Sequence, residues 1–245
     1  MRQAMIFAAG LGTRLKPLTD TMPKALVRVG DKPLLDHVLD KLQNSGFERI
    51  VINIHHFGGQ IVEYVSSHPR HGMEILFSDE REALLETGGG LRKAAPLFSE
   101  NDNVLIHNVD ILSNVDLAQL YEESTDADAT LLVSERKTSR YLLFDDDLRM
   151  RGWTHLGTGE VRSPYPSFNP LQYQKLAFSG IHVISPALLR MMQSWPERFS
   201  IIDFYLSQCD KVRIMGFLKK DLQLMDVGKL ETLDQAHCFI SQLPE

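Results

Sequence analysis

Residues 5–29 read MIFAAGLGTRLKPLTDTMPKALVRV. An apolar run, Met5 to Ala9, enters a turn marked by Gly10 and Gly12, and Thr13, Arg14 and the pair Pro23-Lys24 follow. The pattern predicts a buried strand running into a backbone that can approach a ligand closely, because no Cβ shields its N–H groups from phosphate oxygens. Arg14 adds a forked donor and Lys24 a mobile point charge. The stretch reads as a polyphosphate cradle formed by Ala9, Gly10, Leu11, Gly12 and Thr13 with the two cations beside it. Two familiar phosphate motifs are excluded. A dinucleotide fingerprint needs a third glycine where Leu15 stands, and no G-x-x-x-x-G-K-[ST] string occurs.

The whole string, G-x-G-T-R-L-x-P-L-T followed by P-K-x-L, closely resembles the signature of the sugar-1-phosphate nucleotidyltransferases, or NDP-sugar pyrophosphorylases. That resemblance implies an α/β fold, Rossmann-like and GT-A-like, in which helices flank a mostly parallel mixed sheet and a small β-rich insertion binds sugar. It also implies one nucleotidyltransferase domain over residues 1–245. Residues 1–134 would form its nucleotide-binding part, and residues 135–245 its sugar-phosphate part and C-terminal helix.

Composition agrees with a soluble α/β protein. At 245 residues, 43% hydrophobic and 24% charged, the chain can bury a core. A net charge of −6 argues against nucleic acid as partner, so an anionic ligand needs local cations. Cys209 and Cys238 have neither metal nor disulfide spacing. Neither a signal peptide nor an apolar stretch of membrane-spanning length is legible, and the expected location is the cytoplasm.

Strands and helices alternate from residue 4 to about 134, as in a sheet covered on both faces. Helices are expected over Pro33 to Ser45 and Gly58 to Ser67, and strands over Arg49 to Ile54 and Met73 to Ser78. His55 and His56, pointing to opposite sides of an extended segment, make a poor metal pair. Glu86-Thr87-Gly88-Gly89-Gly90 reads as a glycine loop opening a helix, whose N-terminus offers free N–H groups. By the family likeness this loop lies against the nucleotide base, which assigns base contact to Gly88 and, secondarily, Glu80. In NVLIHNVDILS (103–113) Asp110 ends a strand, where a carboxylate can hold Mg²⁺. Val109 replaces the glycine that the family usually carries there.

Further on, Tyr141 to Phe144 and Met150 to Trp153 are expected to form a hairpin with Asp145-Asp146-Asp147 at its solvated tip. Residues 154–174, rich in Gly, Pro, Ser and Tyr, read as a long loop rimming the sugar side. A strand follows over Lys175 to Ser185, then a helix from Pro186, then a helix over Phe199 to Cys209 with Ser200 as N-cap and Asp203 as its capping-box partner. The likeness places Gly180 against the sugar and leaves Lys175 as a positional candidate for its phosphate. Asp226, in the Asp-Val-Gly of the late family motif, becomes the second Mg²⁺ ligand with Asp110. The last helix places Leu230, Leu233, Ala236, His237 and Ile240 on one face.

The function implied is transfer of a nucleotidyl group from an NTP to a sugar-1-phosphate with release of pyrophosphate. Arg14, Lys24 and Asp110 would be the catalytic residues and Mg²⁺ the cofactor. The E-T-G-G-G loop looks most like N-acetylmuramate-1-phosphate uridylyltransferases, with heptose- and mannose-1-phosphate guanylyltransferases as neighbours. A non-catalytic nucleotide-sugar-binding subunit is the alternative of another class, and monomer and dimer stay open.

Overall fold

The computed structural model describes residues 1–243. Strand β1 (Gln3–Phe7) sits centrally and is buried on both faces, as an apolar parallel strand requires. Its Ala4 and Ile6 face a layer containing α1 (Leu34–Asn44) and α2 (Gly58–Ser67), while Met5 faces α3 (Glu86–Ala94). In α1, Leu35, Val38, Leu39 and Leu42 repeat at helical spacing and are all buried.

β1 pairs in parallel with β2 (Arg49–Ile54) on one side and β4 (Val104–Asn108) on the other, and β3 (Glu74–Asp79) extends the parallel block beyond β2. After β4 come β5 (Ile111–Ser113), α4 (Leu117–Glu122) and β6 (Ala129–Ser134). Strands β7 (Arg140–Phe144), β8 (Met150–His155) and β9 (Glu160–Arg162) form an antiparallel ribbon. The 11-residue β10 (Gln174–Ile184) joins the two regions: its first part pairs with β7, and its later part runs antiparallel between β4 and β6. Helices α5 (Pro186–Met191) and α6 (Ile201–Gln208) follow, then β11 (Ile214–Leu218), parallel to β6. Last are β12 (Leu224–Asp226), paired with β5, and α7 (Leu233–Ile240).

This is the mixed sheet flanked by helices that the sequence predicts, with its parallel character concentrated in β1 to β4. Because β10 is antiparallel to both β4 and β6, those two strands point the same way. The carboxyl ends of β1, β2, β3, β4 and β6 therefore share one rim, where ligands of open α/β sheets bind.

Three local expectations are corrected. Residues 154–174 are not one long loop: β8 continues to His155 and β9 returns across it, with Trp153 opposite Arg162. All three β9 residues are exposed, so no hydrophobic alternation marked the strand. Gly88 to Gly90 do not form a loop but lie inside α3. Ser200 does cap α6, accepting from Ile202 N at 3.3 Å, but Asp203 leaves the cap and pairs with Arg162 at 2.8 Å.

Candidate active site

At the shared rim, β1 ends in the turn from Ala8 to Gly12. Asn53, near the end of β2, accepts from Ala8 N at 2.7 Å and Ala9 N at 3.2 Å, and its Nδ2 donates to Glu80 Oε1 at 2.7 Å. Glu80, fully buried just past β3, accepts from Leu85 N through its other oxygen at 3.2 Å. This relay fixes the turn's entry from beneath, since a buried carboxylate and amide persist only when hydrogen-bonded. Burial nevertheless pushes the Glu80 carboxyl above its ordinary pKa, opposed first by the Asn53 hydrogen bond.

Gly12 has φ +63°, and a Cβ there would lie 2.9 Å from Thr19 Cγ2 and 3.1 Å from Lys24 Cβ. Thr19 Oγ1 and Leu15 N both donate to the Gly12 carbonyl at 2.8 Å. Only glycine closes this turn comfortably. Gly10 differs: a Cβ on it would meet nothing within 4 Å, because it faces the open cleft.

That cleft has a volume of about 260 Å³. Ala9, Gly10, Lys24, Glu80 and Asp110, all candidates from the sequence, line it together with Asn53, Leu84, Glu86, Thr87, Asn108 and Val109. The buried Lys24 contacts the Asp110 carboxylate directly. The β12–β5 pairing sets Asp226 opposite Ile111, and Val227 N donates to the Asp110 carbonyl at 2.8 Å, so the second aspartate is held beside the first. Arg14 closes the group. A Cβ on Gly228 would stand 2.6 Å from Asp226 Oδ1 and 2.8 Å from Arg14 Nη2, so carboxylate and guanidinium flank that glycine. Burial, and then the Asp110 charge, raise the Asp226 pKa, while Lys24, Arg14 and Arg136 pull it back.

Other candidates lie elsewhere. Leu11, Gly12 and Thr13 form the turn but do not line the cleft. Gly88 packs against protein: its N–H donates to the Phe199 carbonyl at 2.9 Å, and a Cβ on it would sit 2.3 Å from the Phe199 ring. Gly89 N donates to the same carbonyl at 3.2 Å, so these N–H groups of α3 are already occupied. Gly180, at φ +75°, backs Asn108, whose Nδ2 would be 2.5 Å from a Cβ. Lys175 lies exposed on β10 opposite Leu143, away from the cleft lining. His55 Nδ1 lies 2.6 Å from the Glu80 carbonyl and His56 tilts against Phe57, which separates the two histidines.

Several site residues escaped sequence reading. Asn53 left one signal, an uncharged polar residue among the apolar ones of RIVINI, but nothing in the sequence gave it a role. Arg136 gave no motif. It stands two positions past β6 on the same rim, and its Nη2 donates to the Phe178 carbonyl of β10 at 3.0 Å.

With this geometry in place, comparison with known proteins identifies the lineage. Residues 3–144 match the family described as nucleotidyl transferase. The chain belongs to that family. An N-acetylmuramate alpha-1-phosphate uridylyltransferase from Caulobacter vibrioides is 44% identical over 109 residues, which cover 44% of this chain and 45% of that one. A second protein of that description, from Neisseria meningitidis, is 39% identical over 123 residues, covering 50% and 53%. The chain thus spans about half the length of the curated relatives it matches at the higher identities. A D-glycero-alpha-D-manno-heptose 1-phosphate guanylyltransferase from Aneurinibacillus thermoaerophilus is 28% identical over 231 residues, covering 92% and 93%. Among solved structures, a UTP-bound UGPase from Acinetobacter baumannii superposes with TM-score 0.79 at 17% identity, covering 98% of this chain and 93% of that one. That superposition covers the whole sheet, so the two chains share a fold.

Proposed function

We propose that the chain transfers a nucleotidyl group from an NTP to a sugar-1-phosphate, releasing pyrophosphate and forming an NDP-sugar. The observation that carries this reading is the convergence of Arg14, Lys24, Asp110 and Asp226 from segments far apart in sequence: Lys24 and Asp110 line the cleft, and Asp226 and Arg14 stand beside them outside its lining. A sugar-phosphate oxygen attacks the α-phosphorus, its P–O bond forms, and the bond to pyrophosphate breaks. The nucleophile is already anionic, so no covalent enzyme intermediate or strong base is needed. The barrier is anion repulsion and charge growing on the leaving group, which positioning and fixed cations overcome.

Arg14, at the free end of the turn, grips the leaving β- and γ-phosphates. Lys24 neutralises the α-phosphate, and the Gly10 backbone lets the triphosphate approach. Arg136 and Gly180 lie on the β6–β10 side, where the sugar phosphate would enter. Asp110 and Asp226 would hold Mg²⁺. Two carboxylates suit an ion that takes its remaining ligands from phosphate and water, and among the described residues no cluster of three or more metal-binding side chains competes. When bound, that ion supplies charge neutralisation between the two substrates. The oppositely signed influences on Asp226 fit such a role, because its carboxylate is crowded by Asp110 and lacks enough nearby cation to offset burial.

UTP with N-acetylmuramate-1-phosphate or a related sugar is the favoured pair, supported by the two relatives so named. A guanylyltransferase for heptose- or mannose-1-phosphate is the second reading, supported by the relative that matches nearly the full chain. The test is pyrophosphate release with Mg²⁺ across UTP, GTP, CTP and ATP against a set of sugar-1-phosphates. One active pair is expected. Silence with nucleotide still bound points instead to a regulatory subunit, and silence without binding overturns the reading.

A further inference from the structure

Behind the strand that presents Asp110 lies a second, larger cleft of about 790 Å³, between α1, β5, the start of α4 and the end of α7. Val38, Leu112, Val115 and Ile240 give it apolar walls. Lys32, His37 and Asn114 in its lining already have hydrogen-bond partners within the protein, whereas Lys41, Ser113 and His107 are less fully used. Lys41, on α1, donates to the Ser113 carbonyl and forms no ion pair among the described residues. Burial lowers its ammonium to about 8, with Asp116 the only acid opposing the shift. One oxygen of Asp116 is already used to cap α4, accepting from Gln119 N at 2.9 Å. A largely buried cation with no directly paired carboxylate is costly, and proteins normally pair it; Asp31 and Asp116, the two acids in the lining, make no ion pair with Lys41 among the described residues.

Two buried atoms, on residues that line the cleft, also lack partners. Ser113 is 3% exposed and His107 1% exposed, and neither Ser113 Oγ nor His107 Nε2 has a hydrogen bond among the described residues. His107 Nδ1 lies 2.8 Å from the Asn108 carbonyl, which can only accept, so the proton sits on Nδ1. Its Nε2 is then a lone pair in need of a donor. Burial holds this imidazole neutral, with its pKa down at about 4.

We propose that this cleft is a second small-molecule site, one that takes an anion bearing a hydroxyl beside its charged group. The anion sits on Lys41, the hydroxyl donates to His107 Nε2, and Ser113 Oγ completes the set. A sugar phosphate and a hydroxycarboxylate share this chemistry. The inference stands independently of nucleotidyl transfer. Its location gives it reach all the same, because one short segment serves both clefts: Asn108 to Asp110 line the first, while His107 and Ile111 to Ser113 line the second.

Calorimetry on the intact protein with glycerol 1-phosphate and with lactate tests the site, with propionate as the hydroxyl-free control. Hydrogen exchange locates the bound probe. At least one hydroxylated anion should bind and slow exchange over residues 37–45 and 107–118, in the wild type and in Arg14→Ala alike. The better of the two names the anionic group. Propionate should bind about tenfold more weakly, and Lys41→Met should lose about tenfold or more in affinity, the scale of one charge-assisted hydrogen bond. Ser113→Ala, a smaller change, should weaken binding several-fold with the fold intact, and it decides the matter alone if Lys41→Met unfolds. Failure of both anions to bind, protection confined to residues 8–24, or unchanged affinity in a folded Lys41→Met or in Ser113→Ala would overturn the proposal.

Discussion

Gly10 of the first turn lines the cleft, and the glycines of α3 follow directly on Glu86 and Thr87, which line it too, yet the missing Cβ does different work in each. At Gly10 it leaves open space facing the cleft. Along α3 it is filled by protein: a Cβ on Gly88 would meet the Phe199 ring, one on Gly89 the Glu197 carbonyl at 2.1 Å, and one on Gly90 the Glu80 carboxylate at 2.6 Å. At Gly10 the space is left open, whereas along α3 it admits the 197–199 segment and the buried carboxylate that anchors the turn. Close approach is what glycine signals in both places. What approaches is set by the tertiary structure.

Substitutions can break this contrast. Gly89→Ala drives a methyl into a backbone carbonyl and should cost about 3 kcal/mol or more, read as a fall in the denaturation midpoint. A normally stable Gly89→Ala impaired only in nucleotide binding would mean that α3 also faces ligand. Arg14→Ala should lower kcat/KM by about 10²-fold, the scale of removing one aimed donor, while Tm moves by less than about 2 °C. Loss of stability instead of turnover would make Arg14 a structural residue. Gly12→Ala combines a left-handed backbone with a crowded methyl and should cost about 1–2 kcal/mol with a raised KM for the NTP. Gly10→Ala should leave stability within about 0.5 kcal/mol and raise that KM a few-fold, the cleanest sign that its open side belongs to the substrate.

Much of the fold was legible where periodicity was strong. Arg49–Ile54 and Gly58–Ser67 fall at the predicted residues, because a short, mostly apolar strand and an amphipathic helix announce themselves. Three glycines in a row argue against a helix on propensity alone, and α3 forms because its packing needs backbone that bare. Asp203 satisfies a local capping pattern, but a long-range partner, Arg162, claims it. The cleft was legible at Ala9, Gly10, Lys24, Glu80 and Asp110. Asn53 and Arg136 were not: Asn53 acts by reaching across from β2 to the backbone of the turn, and Arg136 comes to the same rim only because β10 enters antiparallel between β4 and β6.

The contact between Lys24 and Asp110 has a kinetic consequence. Without substrate the two neutralise one another, so neither the cation nor the carboxylate is fully available. In the proposed reaction, a triphosphate entering the turn would offer Lys24 a richer partner, and drawing the ammonium away would bare Asp110 as the nucleotide is seated. On that reading the pair would work as an interlock, with nucleotide arrival the event that arms the carboxylate and the NTP the first substrate to enter.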